Sequence, residues 1–214
     1  MRSLALSAAS THEALGRIGA LPREIHSLCP GLCVSAPAFT VSCGPRDNLA
    51  LHHAIARAER GTILVVQTGG WHDAGYFGDV MATAATARGI LGLVIDGCVR
   101  DSADLDGLFP VWSRGLSVKG TTKDPLLVSA LRPRLRFPGV DVDDGDLIVA
   151  DDDGVVAVPS GRESEVVTLV EARENEEVAI RQRIATGETT VGIYRLPDLR
   201  DAADPLRPTP AQSR

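Results

Sequence analysis

Two short pairs of residues carry the strongest chemical signal in this sequence: Gly78-Asp79 and, after twenty intervening residues, Arg100-Asp101. Carboxylates and a guanidinium gathered in one place can bind a hard cation, hold water and neutralise an oxygen that becomes negative. Arg100 supplies a planar, permanently charged fork suited to a carboxylate or to a developing enolate oxygen. Asp101 can ligate a cation directly, and Asp79 can ligate it or hold its waters. So sparse a carboxylate set suits Mg²⁺ or Mn²⁺ better than Zn²⁺. A helix beginning after Gly78 leaves free backbone N–H groups at Val80 and Met81, a ready anion site that the glycine lets a ligand approach. The plainer alternative for the second dipeptide is an ordinary Arg–Asp ion pair at the end of a strand.

These residues share a pocket only if the chain between them doubles back. Thr62–Gln67 is an apolar run after Gly61, and the polar, glycine-containing stretch Thr68–Asp79 follows it, as at a buried strand that ends in a functional loop. The segment VMATAATAR, Val80–Arg88, has the small helix-forming residues of a packed helix, with Gly89 as its cap. Leu91–Asp96 is a second apolar strand. Strand, loop, helix, strand makes a βαβ unit with a right-handed crossover, and such units bind ligands beyond the carboxyl ends of their strands. Residues 68–79 and 97–101 both lie at such ends, so the two dipeptides are expected to face one pocket.

Further along, Pro110–Ser113 and Leu116–Lys119 read as short strands. Asp146–Ala150 and Val155–Val158 bracket Asp151-Asp152-Asp153-Gly154. That acidic run reads as a hairpin turn rather than a metal cluster, because Asp-Gly is turn chemistry and neighbouring strand residues point in different directions. Gly161–Gly187 reads as a long helix, with Val166, Leu169, Val170, Val178 and Ile184 at helical spacing and Glu171, Glu174, Glu176 and Glu177 on a solvated face. Beyond Tyr194 the composition turns to Pro, Asp and Arg. This gives one domain over 1–194 and an extended or partly disordered C-terminal extension over 195–214.

The 214 residues, 44% hydrophobic and 23% charged, suit one globular domain with a real core. A net charge of -6 argues against nucleic acid as a partner and for a small-molecule substrate. The apolar runs are too short for a bilayer and the N-terminus has no convincing signal segment, so the expectation is a cytoplasmic protein without a membrane partner. Cys29, Cys33, Cys43 and Cys98 contain no CxxC pair and are expected to be ordinary buried thiols.

The stretch GYFGDVMATAATARGILGLVIDGCVRD, Gly75–Asp101, closely resembles the 4-hydroxy-4-methyl-2-oxoglutarate aldolase and RraA-like family, whose signature is G-D/E and R-D at this separation. The resemblance continues through RDNLALHHAI (Arg46–Ile55), FPVWSRGLSVKGT (Phe109–Thr121), GDLIVADDDGVVAVP (Gly145–Pro159) and the ARENEE and GETTVGIY segments between Ala172 and Tyr194. It implies an α/β fold: an RraA-like α/β sandwich with a central mixed β-sheet and a long C-terminal helix, assembled as a homotrimer or homohexamer with sites between subunits. It also implies a divalent-metal-dependent, class II aldolase using Mg²⁺ or Mn²⁺. Such an enzyme cleaves 4-hydroxy-4-methyl-2-oxoglutarate or a related 4-hydroxy-2-oxo acid to pyruvate, with oxaloacetate decarboxylation as a companion activity.

By the same resemblance, Asp101 is the metal ligand, Arg100 stabilises the pyruvate enolate, Gly78 with the amides of Val80 and Met81 holds the pyruvyl carboxylate, and Asp79 orders water. Glu176, with Glu177 as competitor, would reach this water from a neighbouring subunit, and Glu13 is a second cross-subunit candidate. Asn48 matches a pocket-lining position, although a turn-forming asparagine explains it equally. Members carry a longer helix ahead of the position of Thr11 than the ten residues present here, which bears on assembly and on Glu13. Two other readings belong to the resemblance: a non-catalytic RraA-like regulator that binds a ribonuclease, and a specialised lyase or hydratase of a biosynthetic pathway.

Overall fold

A computed structural model describes residues 6–105, 107 and 109–199. In chain order, α1 (Ala8–Ala14) and β1 (His26–Ser27) precede β2 (Val34–Ser42), α2 (Leu49–Arg57) and β3 (Ile63–Gln67). Then come α3 (Asp79–Arg88), β4 (Gly92–Asp96), α4 (Ser102–Leu105) and β5 (Val111–Ser113). Short strands β6 (Ala130–Leu131), β7 (Leu135–Phe137) and β8 (Val140–Val142) lead to the hairpin of β9 (Leu147–Asp151) and β10 (Gly154–Val158). Helices α5 (Glu163–Ala185) and α6 (Thr190–Ile193) follow.

The central sheet runs β1-β5-β4-β3-β2-β9-β10, with β6 also paired to β2. Strands β2, β3, β4 and β5 are parallel to their neighbours in that series, while β1, β6, β9 and β10 pair antiparallel, so the sheet is mixed as expected. Side chains of β3 alternate between two cores. Leu64 and Val66 pack with Leu93, Ile95 and the inner faces of α2 and α3, whereas Ile63 and Val65 pack with Val94, Trp112, Phe137 and Ile148 on the other face. Burial on both faces explains the unbroken apolar runs of β3 and β4. A third core joins α1, Val149, Val156 and the start of α5 through Val166 and Val170.

Helix α3 buries Met81, Ala82 and Ala85, whose small alanine side chains let the helix lie close to the sheet. It stops at Gly89, which adopts φ 76°. An added Cβ there would come within 2.6 Å of Arg60 Cγ. Gly89→Ala is therefore expected to lower stability by about 1–2 kcal/mol, the cost of a side chain in the left-handed region. A shift of the urea midpoint at unchanged slope would register it.

Two expectations are corrected. Leu116–Lys119 forms no strand: Gly115 has φ 123°, and the segment divides its bonds, Ser117 N donating to Val99 O at 2.9 Å while Lys119 O accepts from Gly75 N at 2.8 Å. With Val99 N also donating to Gly115 O at 3.0 Å, the pairing stops at an isolated bridge between Val99 and Leu116. Of the four cysteines, all free, Cys29 and Cys43 are buried and Cys98 is half-buried, but Cys33 is exposed in the connection before β2. Burial pushes the Cys43 thiol up to about 12.

The acidic run forms the β9–β10 turn. Asp151 Oδ2 accepts from Ala8 N at 2.8 Å, and Asp152 Oδ2 accepts from Gly31 N at 2.8 Å. Tertiary contacts divide the chain into two units, the first ending at Arg173 and the second starting at Glu174, a boundary inside α5. Residues 200–214 of the expected extension lie outside the described residues. Among the described residues, no helix is long and apolar enough to cross a membrane.

Candidate active site

The loops after β3 and β4 run side by side. Cys98 N donates to His72 O and Tyr76 N to Cys98 O, both at 3.0 Å, and Arg100 N donates to Phe77 O at 2.9 Å. This ladder brings Gly78, the cap residue of α3, against Arg100 and Asp101. Gly78 itself has φ -150°, an extended conformation open to any residue, so packing is what demands the glycine. An added Cβ would collide with Asp101 Oδ2 and lie 3.2 Å from Arg100 Cγ. Gly75, three residues earlier, is also confined: its Cβ would fall 2.6 Å from Ser117 O.

Asp101 adopts φ 60°, a left-handed conformation that side chains other than asparagine and aspartate rarely take. Its carbonyl accepts from Asp104 N at 3.0 Å and Leu105 N at 3.1 Å, opening α4. Such a sharp reversal straight after Arg100 sends the carboxylate back towards its neighbour, and Arg100 Nε lies 3.3 Å from Asp101 Oδ2. The pair is an ion pair, with the Arg100 side chain 53% and the Asp101 side chain 34% exposed. That exposure leaves both heads reachable by a ligand.

A cleft of about 260 Å³ is lined by Gly78, Asp79, Val80, Met81, Arg100 and Asn48. Residues separated in sequence and singled out by type or, for Asn48, by resemblance thus converge. A second hollow of about 370 Å³ is lined by Arg100, Asp101, Ser102 and Leu116–Val118. Arg100 lines both hollows, while Asp101 lines the second. Asp79 is the first residue of α3, half-buried, with Val80 exposed and Met81 buried behind it.

Asn48 is buried and precedes α2, yet makes no side-chain capping bond. Its Nδ2 instead donates to Tyr76 O at 2.9 Å and lies 3.6 Å from Met81 Sδ. Its Oδ1 is buried with no protein partner. The side chain therefore ties the cleft floor to α2 rather than forming a turn. The same cleft contains His52, Gly120, Thr121 and Lys123, which the pattern of residue types left unmarked. His52 was within reach of sequence reasoning, since it follows Asn48 by one helical turn on the same face. Burial, then the Lys123 and His53 charges, hold its imidazole below the usual range.

Glu13 sits on α1 and pairs with Arg17 at 3.1 Å. Glu176 and Glu177 belong to the second unit, where Glu176 is exposed and Glu177 lies 3.3 Å from Arg181. Among the described residues, no group of three or more His, Cys, Asp or Glu side chains is placed to hold a metal. The donor set at the candidate site is thus a single carboxylate, Asp101, with Asp79 as the other acid of the motif.

A profile of the RraA-like family, described as Aldolase/RraA, matches residues 8–157. A protein of Halalkalibacterium halodurans, provisionally named a 4-hydroxy-4-methyl-2-oxoglutarate aldolase, is 30% identical over 162 residues, covering 75% of this chain and 76% of that protein. Among solved structures, an uncharacterized protein of Pseudomonas syringae pv. tomato aligns with TM-score 0.77 at 34% identity over 86% of each chain. RraAS2 of Streptomyces coelicolor, described as an unusual member of the RNase ES inhibitor RraA family, aligns with TM-score 0.72 at 32% identity, covering 85% of this chain and 93% of that one.

Proposed function

We propose that this chain, which belongs to the RraA-like (Aldolase/RraA) family, is a divalent-metal-dependent lyase that cleaves a 4-hydroxy-2-oxo acid to pyruvate and decarboxylates oxaloacetate. The observation that carries this reading is the seating of Arg100-Asp101 against Gly78 at the N-terminus of α3.

The residues present fit a hard cation. Asp101 is paired with one guanidinium nitrogen and stays partly exposed, so it keeps lone pairs for Mg²⁺ or Mn²⁺, ions that take few protein ligands and fill the rest with waters and substrate oxygens. Asp101 would hold the cation, with Asp79, and Glu176 of a neighbouring subunit, ordering its waters. When bound, the cation would supply Lewis acidity towards the 2-keto oxygen and carboxylate of the substrate.

The chain's own groups divide the remaining work. The free N–H groups of Val80 and Met81 hold the pyruvyl carboxylate at the positive end of α3. Asp79 orients the water that accepts the C4 hydroxyl proton as the C3–C4 bond breaks and C4 becomes a carbonyl. The electron pair of that bond passes into the enolate of pyruvate, whose oxygen faces the Arg100 guanidinium. A proton then returns to C3. With oxaloacetate the same bond breaks, CO₂ leaves and the same enolate forms.

A homotrimer or homohexamer is part of this proposal. Val118, Leu126 and Val128 are almost fully exposed, apolar surface of the kind that association covers. A second reading, a non-catalytic regulator that binds a ribonuclease, draws support from the likeness to RraAS2.

Pyruvate release from oxaloacetate and from 4-hydroxy-4-methyl-2-oxoglutarate, followed through lactate dehydrogenase, separates the two. EDTA is expected to abolish release and Mg²⁺ or Mn²⁺ to restore it. Silence on both substrates with either metal would favour the regulator or a specialised lyase.

A further inference from the structure

Strands β3, β4 and β5 are parallel neighbours, so the loops that follow them leave from one end of the sheet. A single residue ties all three loops. Asp96 ends β4 and is buried. Its Oδ1 accepts from Nε of Arg114, the residue after β5, at 2.5 Å. Its carbonyl accepts from Thr68 Oγ1, just after β3, at 2.6 Å and from His72 Nδ1, in the same loop, at 2.8 Å. Facing a carbonyl, that ring nitrogen is the one that carries a proton. None of these side chains lines either hollow that Arg100 lines.

The two residues that Asp96 grips from outside its own loop, His72 and Arg114, flank the strip that carries Arg100. On one flank, His72 O accepts from Cys98 N and Phe77 O from Arg100 N. On the other, Arg114 N donates to Gly97 O at 2.9 Å, and Val99 exchanges bonds with Gly115 O at 3.0 Å and Ser117 N at 2.9 Å. Bonds from residues 97–100 thus alternate between the loop after β5 and the loop after β3. A strip held on both edges has its rotation fixed, and with it the side on which Arg100 projects.

Stability does not call for an ion pair here. Asp96 and Arg114 are both mostly buried, and the cost of taking two charges out of water offsets much of their attraction, so a packed apolar pair would hold the loops as firmly. What the pair adds is direction, because a planar guanidinium held through Nε sets where residue 114 lies relative to residue 96.

We propose that Asp96 is a positioning residue: by gripping Arg114 and His72 together it fixes both flanks of residues 97–101 and so aims the Arg100 guanidinium at the substrate oxygen that becomes negative. The proposal rests on the cleft being a 2-keto acid site and adds the residue that aligns it.

The test compares oxalate, a planar dianion shaped like the pyruvate enolate, with pyruvate itself. Binding of each to the full chain with Mg²⁺ is measured by calorimetry. Asp96→Asn, which keeps the size of the side chain, is expected to weaken oxalate about tenfold and pyruvate less than about threefold, because the enolate-like charge depends most on Arg100. In an Arg100→Ala background the same substitution should change oxalate affinity by less than about twofold, since its effect passes through Arg100. A purely structural role predicts a lower melting temperature with an unchanged ratio of oxalate to pyruvate affinity, or an equal loss with and without Arg100. Either result would overturn the proposal.

If Asp96→Asn does not fold, Arg114→Lys takes its place: it keeps the charge, loses the Nε bond and should weaken oxalate about threefold with pyruvate unchanged. An unchanged ratio there overturns the proposal too. If the wild-type chain binds neither ligand, the 2-keto acid reading fails separately. The Arg100 Nε–H signal of ¹⁵N-labelled protein, identified by its loss in Arg100→Ala, then decides: a shifted signal in whichever of the two variants folds supports the alignment, and an unmoved one overturns it.

Discussion

Arg100→Ala is expected to lower kcat/KM for pyruvate release by about 10²–10³-fold, the usual consequence of removing a donor aimed at a developing oxyanion. The loss should be alike for oxaloacetate and for a 4-hydroxy-2-oxo acid, since both routes pass through one enolate. It should fall mainly on kcat, because the charge that Arg100 meets is greatest after the bond breaks. Arg100→Lys keeps the charge but not the planar fork and is expected to recover only a small part of the rate. Folding should barely notice either change: the side chain is half exposed, and its ion pair is with Asp101, an exposed pairing worth at most about 1 kcal/mol. Full decarboxylation with lost aldol cleavage in Arg100→Ala would show that the two reactions do not share this residue.

Gly78→Ala is expected to cost nearly as much activity, although it removes no functional group. The backbone at Gly78 accepts an alanine without strain, but the new methyl occupies the place of Asp101 Oδ2 and crowds Arg100 Cγ and Nε, at 3.2 and 3.3 Å. Both neighbours are ends of flexible, partly exposed side chains, so they can swing aside at little cost to stability. They cannot swing aside and keep the pairing at 3.3 Å. A unit change in methyl count thus displaces the proposed metal ligand and the proposed enolate partner together. We expect a loss of at least about 10²-fold in kcat/KM, with a melting temperature within a few degrees of wild type. Gly75→Ala, whose Cβ would strike the Ser117 backbone carbonyl as well as crowding Arg100, should by contrast destabilise the fold as well. Thermal unfolding and steady-state rates on the two variants separate these outcomes.

The βαβ unit was legible because each of its parts has a local cause. β3 and β4 are apolar on both faces since both faces are buried, and the small residues of α3 are those a close-packed helix needs. From that unit alone, Gly78-Asp79 and Arg100-Asp101 had to approach one another. The left-handed turn at Asp101, which points its carboxylate back at Arg100, left no mark, since aspartate is common in many backbone states.

Leu116–Lys119 misled for a similar reason. Its alternation looks like a strand, but its partners are two loops rather than one strand, and only the tertiary arrangement decides that. The wall carrying Thr121 and Lys123 was invisible because Asp47, which holds it, lies 77 residues from Asp124. Asn48 came from the family resemblance rather than from its own chemistry. In the fold it proves to be a strut between α2, Tyr76 and Met81.

Formation of an enolate beside Arg100 can be tested without knowing the natural substrate. Pyruvate in D₂O with Mg²⁺ or Mn²⁺ should exchange its methyl protons for deuterium when the protein is present, visible as loss of the methyl proton signal by nuclear magnetic resonance. Exchange is expected to stop with EDTA and in Asp101→Ala and Arg100→Ala. If the wild-type protein with metal leaves the methyl signal intact, or if exchange persists in both variants, these residues do not build a pyruvate enolate site.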